Sequence, residues 1–235
     1  MSVKFYGIQK LTLLDFPGKV ACTLFTGGCN FRCPFCHNSA LVEGEAMAGQ
    51  PVLEETEVLS FLNKRRGVLD GICITGGEPL LQPEIELFIQ KCKALGYQVK
   101  LDTNGSFPQK LKALVCEGLV DYVAMDVKNA PSAYGATVGI ENFDIAPVRE
   151  SIGFLQEGNA AYEFRTTVVR QFHNTERMVL LSQWIQGASP YYIQNFRDSG
   201  RILKPGLSGF SREELEAFLQ AVRGFLHKAQ LRAEA

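Results

Sequence analysis

VACTLFTGGCNFRCPFCHN, residues 20–38, is the stretch on which the fold turns. Its first seven residues, Val20–Thr26, form a short apolar run without the polar alternation of a half-exposed strand. A run of this kind reads as a strand covered on both faces, as in a parallel sheet. Gly27 and Gly28 end it, and a loop carrying three cysteines follows.

Outward from that stretch the same pattern recurs. Gly71–Thr75, Gln98–Asp102, Tyr122–Val127, Tyr162–Val169 and Tyr191–Phe196 also read as buried strands. Helical spacing occupies Glu54–Lys64, Pro83–Leu95, Pro108–Glu117, Ile145–Glu157 and Glu176–Ile185, and Arg212–His227 follows the last strand. Ser211 with Glu214 forms a capping-box pattern, and Gly96 stops the helix that ends at Leu95. Strand then helix, six times over, argues for parallel βα units in an α/β fold. A closed eight-unit barrel usually needs ~250 residues, so six units suggest an open, partial (β/α)6 barrel of parallel strands. A doubly wound sheet is the alternative. Both build their active sites at the C-terminal ends of the strands.

The 235 residues carry no linker, repeat or charge block, so a single domain over residues 1–235 is expected, with the tail Ala229–Ala235 fraying. Lys and Arg number 24 against 25 Asp and Glu, which leaves no basic excess to neutralise a nucleic acid backbone. No apolar run approaches the ~18 residues of a membrane span. The opening MSVKFYGIQK lacks the layout of a secretory signal, so a cytoplasmic, soluble protein is expected. Of seven cysteines, Cys29, Cys33 and Cys36 crowd into eight residues while Cys22, Cys73, Cys92 and Cys116 stand apart. That is no disulfide framework and points to a metal or catalytic site.

Structural zinc takes four ligands, typically from paired Cys-x-x-Cys hairpins, and no second pair exists here. His37 sits directly beside Cys36, where joint ligation of one ion is awkward. Three cysteines suit an iron–sulfur cluster with one iron left free of protein ligands and open to a substrate or cofactor. Zinc, or a chance grouping of thiols, is the alternative.

The spacing Cys29-x-x-x-Cys33-x-x-Cys36, with Phe35 before the third cysteine, resembles the signature of the radical S-adenosylmethionine (radical SAM) enzymes. The resemblance implies a 4Fe–4S cluster whose open iron is chelated by the amino and carboxylate groups of S-adenosylmethionine. Reductive cleavage of the sulfonium then yields a 5'-deoxyadenosyl radical, so cluster and cofactor carry the chemistry and no catalytic side chain is assigned. Phe35 is expected at the cofactor.

Thr75-Gly76-Gly77-Glu78-Pro79 reads alone as a turn whose backbone can approach a ligand. It resembles the family's GGEP motif, which places Gly76, Gly77 and Glu78 at the methionyl amino group. Asp102-Thr103-Asn104-Gly105 and Asp126-Val127-Lys128 resemble the DTNG and D-x-K motifs of the pyruvate formate-lyase activating group. An ordinary ion pair at the rim is the plain alternative. The functional reading sets Asp102 and Asp126 against the amino end of the cofactor and Lys128 against its carboxylate. The resemblance further implies a monovalent cation at Asp102, Thr103 and Asp126, and it matches Arg165 and Gln194 to positions that face the nucleoside.

The segment LDFPGK, residues 14–19, and Cys36-His37-Asn38 are similar to enzymes that activate glycyl radical enzymes, above all the group serving anaerobic ribonucleoside-triphosphate reductase. That implies a glycyl radical enzyme as protein partner and a flavodoxin- or ferredoxin-type electron donor. Some activators insert ligands for extra clusters after the first loop; this chain has no second cysteine set there. The alternatives are a small-molecule enzyme resembling 7-carboxy-7-deazaguanine synthase and a zinc-stabilised binding module without catalysis.

Overall fold

A computed structural model describes residues 2–42, 49–187, 189–198, 200 and 202–232. The strands are β1 (Lys4–Thr12), β2 (Ala21–Thr26), β3 (Leu53–Glu54), β4 (Gly71–Gly76), β5 (Gln98–Thr103), β6 (Tyr122–Asp126), β7 (Ala161–Val168), β8 (Tyr191–Asn195) and β9 (Ala229–Leu231). The helices are α1 (Glu55–Lys64), α2 (Ile85–Ala94), α3 (Pro108–Cys116), α4 (Tyr134–Val138), α5 (Ala146–Gln156), α6 (Thr175–Trp184) and α7 (Arg212–Arg223). All six expected strands form within one or two residues of their expected bounds.

The strands make one sheet in the order β3-β1-β2-β4-β5-β6-β7-β8-β9. From β2 to β9 every pairing is parallel, and each βα unit is laid down beside the one before it. A doubly wound sheet reverses its strand order at a switch point; here the order runs one way, as in a barrel. β3 and β9 are the two ends and remain unpaired with each other, so the fold is a partial barrel.

Successive side chains on a strand face opposite ways, and this alternation sorts the chemistry. Ile72, Ile74, Val99, Leu101, Val123, Met125 and Phe164 are buried in one apolar core with Leu62, Phe88, Leu111 and Leu155 of the helices. The intervening residues bond one another on the opposite face: Cys73 to Asp102, Lys100 to Asp102, and Glu163 to Tyr122. The barrel interior is therefore polar and charged.

Three strands lie where none was expected: β1, the two-residue β3 and β9. β1 runs antiparallel to β2 and β3, with register shifts between Phe5 and Gly7 and between Gln9 and Thr12. Those irregularities break the period of two that would have revealed it. Its anchor is Phe5, fully buried against Phe88 with ring centroids 4.8 Å apart. The expected fraying from Ala229 is corrected by β9, which pairs with β8 at Tyr191, Tyr192 and Ile193. Three residues are too few to show a period, and α7 ends at Arg223, short of His227, so that the chain can turn into this strand. Residues 233–235 lie outside the described residues.

LDFPGK, residues 14–19, closes the barrel at the N-terminal ends of the strands. Phe16 is buried against Tyr122 at 6.1 Å between centroids, and the Thr23 hydroxyl donates to Asp15. The cysteine loop stands at the opposite end. Among the described residues no helix is long and apolar enough to cross a membrane.

The last described residue, Arg232, reaches back into the interior: its Nη2 lies 2.7 Å from Glu163, a carboxylate with no solvent exposure, and its guanidinium covers the Tyr192 ring at 4.4 Å. Arg232→Met leaves the buried Glu163 with the Tyr122 hydroxyl as its remaining side-chain hydrogen-bond partner among the described residues. Because Arg232 is itself partly exposed, a loss of about 2 kcal/mol is expected in urea melts, below the range for breaking a fully buried pair. A loss below about 0.5 kcal/mol would leave the tail without a structural role.

Candidate functional site

After β2 the chain opens into the cysteine loop, held by backbone bonds to three separate segments. Gly28 donates to Leu41 at 2.7 Å, Arg32 to Val138 at 2.8 Å, and Glu78 donates to Gly28 at 2.8 Å. Cys33 is buried while Cys29 and Cys36 are half-buried, and all three are free thiols lining one cavity of about 280 Å³. Burial pushes all three thiols up, Cys33 to about 12, with Lys128 pulling the other way. Thiols in this setting need a strong positive partner to ionise.

The donor set fits an iron–sulfur cluster. Three free thiols line one cavity, and a cubane cluster binds each thiolate through a different iron, leaving one iron open.

The opposite wall comes from the other strand ends. Phe35, Gly76, Gly77, Asp102, Thr103, Asp126, Lys128, Arg165 and Gln194 all line the same cavity. Glu78 does not. It is fully buried behind the wall, accepting from Leu80 N at 3.1 Å, the Thr103 hydroxyl at 2.8 Å and Asn104 N at 2.7 Å. Three donors from two loops occupy its oxygens, and it braces the glycine turn against the end of β5.

The two glycines also have a steric reason that the motif does not show. A Cβ at Gly77 would stand 1.9 Å from the Gly28 carbonyl oxygen, and one at Gly76, where φ is +122°, 2.2 Å from that of Thr26. Backbone presses on backbone here, which locks the turn to the cysteine loop.

Asp102 and Asp126 are joined through Arg165 into a chain of buried charges. Lys100 pairs with Asp102, Arg165 reaches Asp102 at 3.1 Å and Asp126 at 2.8 Å, and Lys128 lies 2.9 Å from Asp126. Burial opposes the charges of Asp102, Asp126, Lys128 and Arg165, yet their partners prevail. Arg165 and Lys100 hold Asp102 below the usual carboxylate range, Arg165 and Lys128 do the same for Asp126, and Asp126 raises Lys128. The rim ion pair named as the plain alternative is thus real, and it coexists with the lining of the cavity by Asp102, Asp126, Lys128 and Arg165.

Thr75, Asn38, Asn104 and Thr167 also line the cavity and were not singled out from the sequence. The available signal is position: Thr167 is two residues beyond Arg165 on the same strand face, and Asn104 follows Thr103. His173 is a satisfied core residue, accepting from Val169 N on Nδ1 and donating from Nε2 to the Lys128 carbonyl. Cys73 lies inside the barrel beside Lys100 rather than in the apolar core, and Cys116 is exposed at the end of α3.

Three thiols at the C-terminal mouth of a partial barrel, facing cations across one cavity, define a cofactor-dependent α/β enzyme. The chain belongs to the radical SAM superfamily, whose sequence profile matches residues 23–152. The superfamily carries a 4Fe–4S cluster and uses S-adenosylmethionine, and the residues described here fit both.

A Methanocaldococcus jannaschii protein named "putative glycyl-radical enzyme activating enzyme" is 33% identical over 195 residues, covering 81% of this chain and 78% of the relative. The pyruvate formate-lyase-activating enzyme of Clostridium pasteurianum is 27% identical over 92% of this chain and 97% of its own. The 7-carboxy-7-deazaguanine synthase of Koribacter versatilis is 34% identical, but over 64% of this chain and 62% of its own. Among solved structures, a domain of a Bacteroides vulgatus pyruvate-formate lyase-activating enzyme superposes with TM-score 0.56 at 16% identity, covering 69% of this chain and 99% of that one. Streptococcus suis SuiB bound to S-adenosylmethionine gives 0.67 at 13% identity, covering 88% and 48%. At these identities the structures share the fold.

Glu78 yields a pH-dependent test of the brace. Burial pushes its carboxyl up to about 7 from 4.5 against the pull of its three donors, so the folded state favours the proton. The stability this contributes is complete below about pH 4.5 and fades as pH rises to about 7. Glu78→Gln keeps one acceptor oxygen but turns an amide N–H toward a backbone N–H, at a cost of about 2 kcal/mol. Urea melts should show the gap between wild type and variant narrowing from pH 5 to pH 8; a gap that widens would refute this account of Glu78.

Proposed function

We propose that this enzyme generates a glycyl radical on a partner protein, removing a hydrogen atom from a glycine α-carbon. The observation that carries the reading is the 33% identity to a protein named as a glycyl-radical enzyme activating enzyme, spread over 81% of the chain. The fold supports it through a cavity at the open mouth of an incomplete barrel.

In this reading Cys29, Cys33 and Cys36 hold the cluster, which supplies the electron that cleaves S-adenosylmethionine to the hydrogen-abstracting radical. The chain's own part is placement and electrostatics. Lys128 and Arg165, kept charged by Asp126, present two cations to the cavity and receive the cofactor carboxylate. Gly76 and Gly77 offer backbone to its amino end, while Phe35, Thr103 and Gln194 border the remainder. A monovalent cation at Asp102, Thr103 and Asp126 belongs to the same reading as a competitor of Arg165, because it would take carboxylate oxygens that Arg165 now holds.

The partner favoured by the similarity of LDFPGK and Cys36-His37-Asn38 is anaerobic ribonucleoside-triphosphate reductase, with a flavodoxin- or ferredoxin-type donor, in the cytoplasm. LDFPGK lies at the far end of the barrel from the cavity, so it acts in this scheme through the fold and not by touching the target glycine. The whole chain, residues 1–235, acts as one domain.

The test is anaerobic. Reduced, iron-loaded enzyme with S-adenosylmethionine and the partner should give a doublet electron paramagnetic resonance signal split by the glycine α-hydrogen. The signal should vanish when the target glycine is replaced by Ala, and when Cys33→Ala removes a cluster ligand here. No doublet with any glycyl radical enzyme of the same cell, together with deoxyadenosine formed on a free pterin, would move the assignment to the small-molecule class.

A further inference from the structure

Beside Cys29 three polar side chains, Asn30, Asn104 and Ser106, close into a ring that the cofactor scheme does not use. Asn104 lies just past β5, its backbone N–H fixed on Glu78 at 2.7 Å. Its carboxamide oxygen accepts from Ser106 N at 2.9 Å and from the Ser106 hydroxyl at 2.6 Å. A backbone N–H only donates, so the oxygen must face Ser106 and the amino group must face the other way. This settles an orientation that distances alone leave ambiguous.

The amino group donates to Asn30 Oδ1 at 3.0 Å, and Cys29 Sγ stands 4.0 Å from the same nitrogen. Asn30 in turn donates from Nδ2 to the Ser106 hydroxyl at 2.9 Å, which completes the ring with every donor matched to an acceptor. One amide hydrogen is thus committed to Asn30 and the second is left for the sulfur. The Phe31 backbone N–H reaches the same sulfur at 3.4 Å.

We propose that Asn104 is a positioning residue that directs an N–H at the Cys29 sulfur and thereby sets how readily the bound cluster accepts an electron. The physical ground is that added negative charge on a cluster spreads onto its thiolates, and donors aimed at those sulfurs favour the reduced state. Asn104 is buried and held on four sides, so its amide loses little freedom on making this contact. The inference rests on the cluster assignment and is independent of which substrate the enzyme serves.

The experiment compares reconstituted wild type with Asn104→Ala, by iron and sulfide content and by redox titration followed by electron paramagnetic resonance, without partner or S-adenosylmethionine. Iron content should stay at the wild-type level while the reduced-to-oxidised ratio at fixed potential falls about tenfold, ~59 mV for a one-electron couple. An unchanged or raised potential in the iron-replete variant overturns the proposal. Where Asn104→Ala fails to retain iron, wild type grown with side-chain 15N-asparagine decides: the reduced cluster should show hyperfine coupling to an amide nitrogen, and its absence overturns the proposal equally. A wild type that binds no iron removes the cluster assignment and this inference with it. Failure to activate a partner touches neither.

Discussion

Arg165 is the charge on which the barrel interior depends. Its guanidinium bridges the carboxylates of β5 and β6 from β7, so three strands are tied across their inner face by one side chain. Two carboxylates facing a closed space without it would repel, and each would meet the cost of burial alone. With it, and with Lys100 and Lys128 at the ends, the interior holds alternating charges that leave both acids ionised and the lysine at the cavity charged. The same chain of charges that ties the parallel strands thus electrifies one wall of the cavity.

A second constraint makes that wall rigid. The glycine turn after β4 touches the cysteine loop backbone to backbone, and Glu78 pins the same turn to the residues after β5. Three loops from three strands are therefore braced against one another. A site that must hold a cluster, a cofactor and a target atom within a few tenths of an ångström of one another gains more from such bracing than from added contacts.

Strand and helix order, the open barrel and the three-cysteine loop were legible in the chain because each is a local pattern. A covered parallel strand needs an apolar run, a helix needs its period and caps, and three thiols within eight residues can reach one centre whatever surrounds them. Most of the cavity-lining residues were legible for a related reason: they sit at strand C-termini, where βα topology places any active site.

Other features had no local mark. β1 was hidden by its irregular register and β9 by its length, and both exist because a neighbouring strand offers unpaired backbone groups. Glu78 has the composition of a cofactor ligand, yet the approach of Thr103 and Asn104, 25 and 26 residues away, turns it into a brace. Asn104 and Cys29 are 75 residues apart and meet only because β2 and β5 end on the same rim. The order of elements and the chemistry of the cysteine loop are properties of short segments, which the sequence by itself determined. Which way a buried side chain faces depends on partners that only tertiary packing brings within bonding distance, so the direction of Glu78, the span of Arg165 and the aim of Asn104 were decided by the fold.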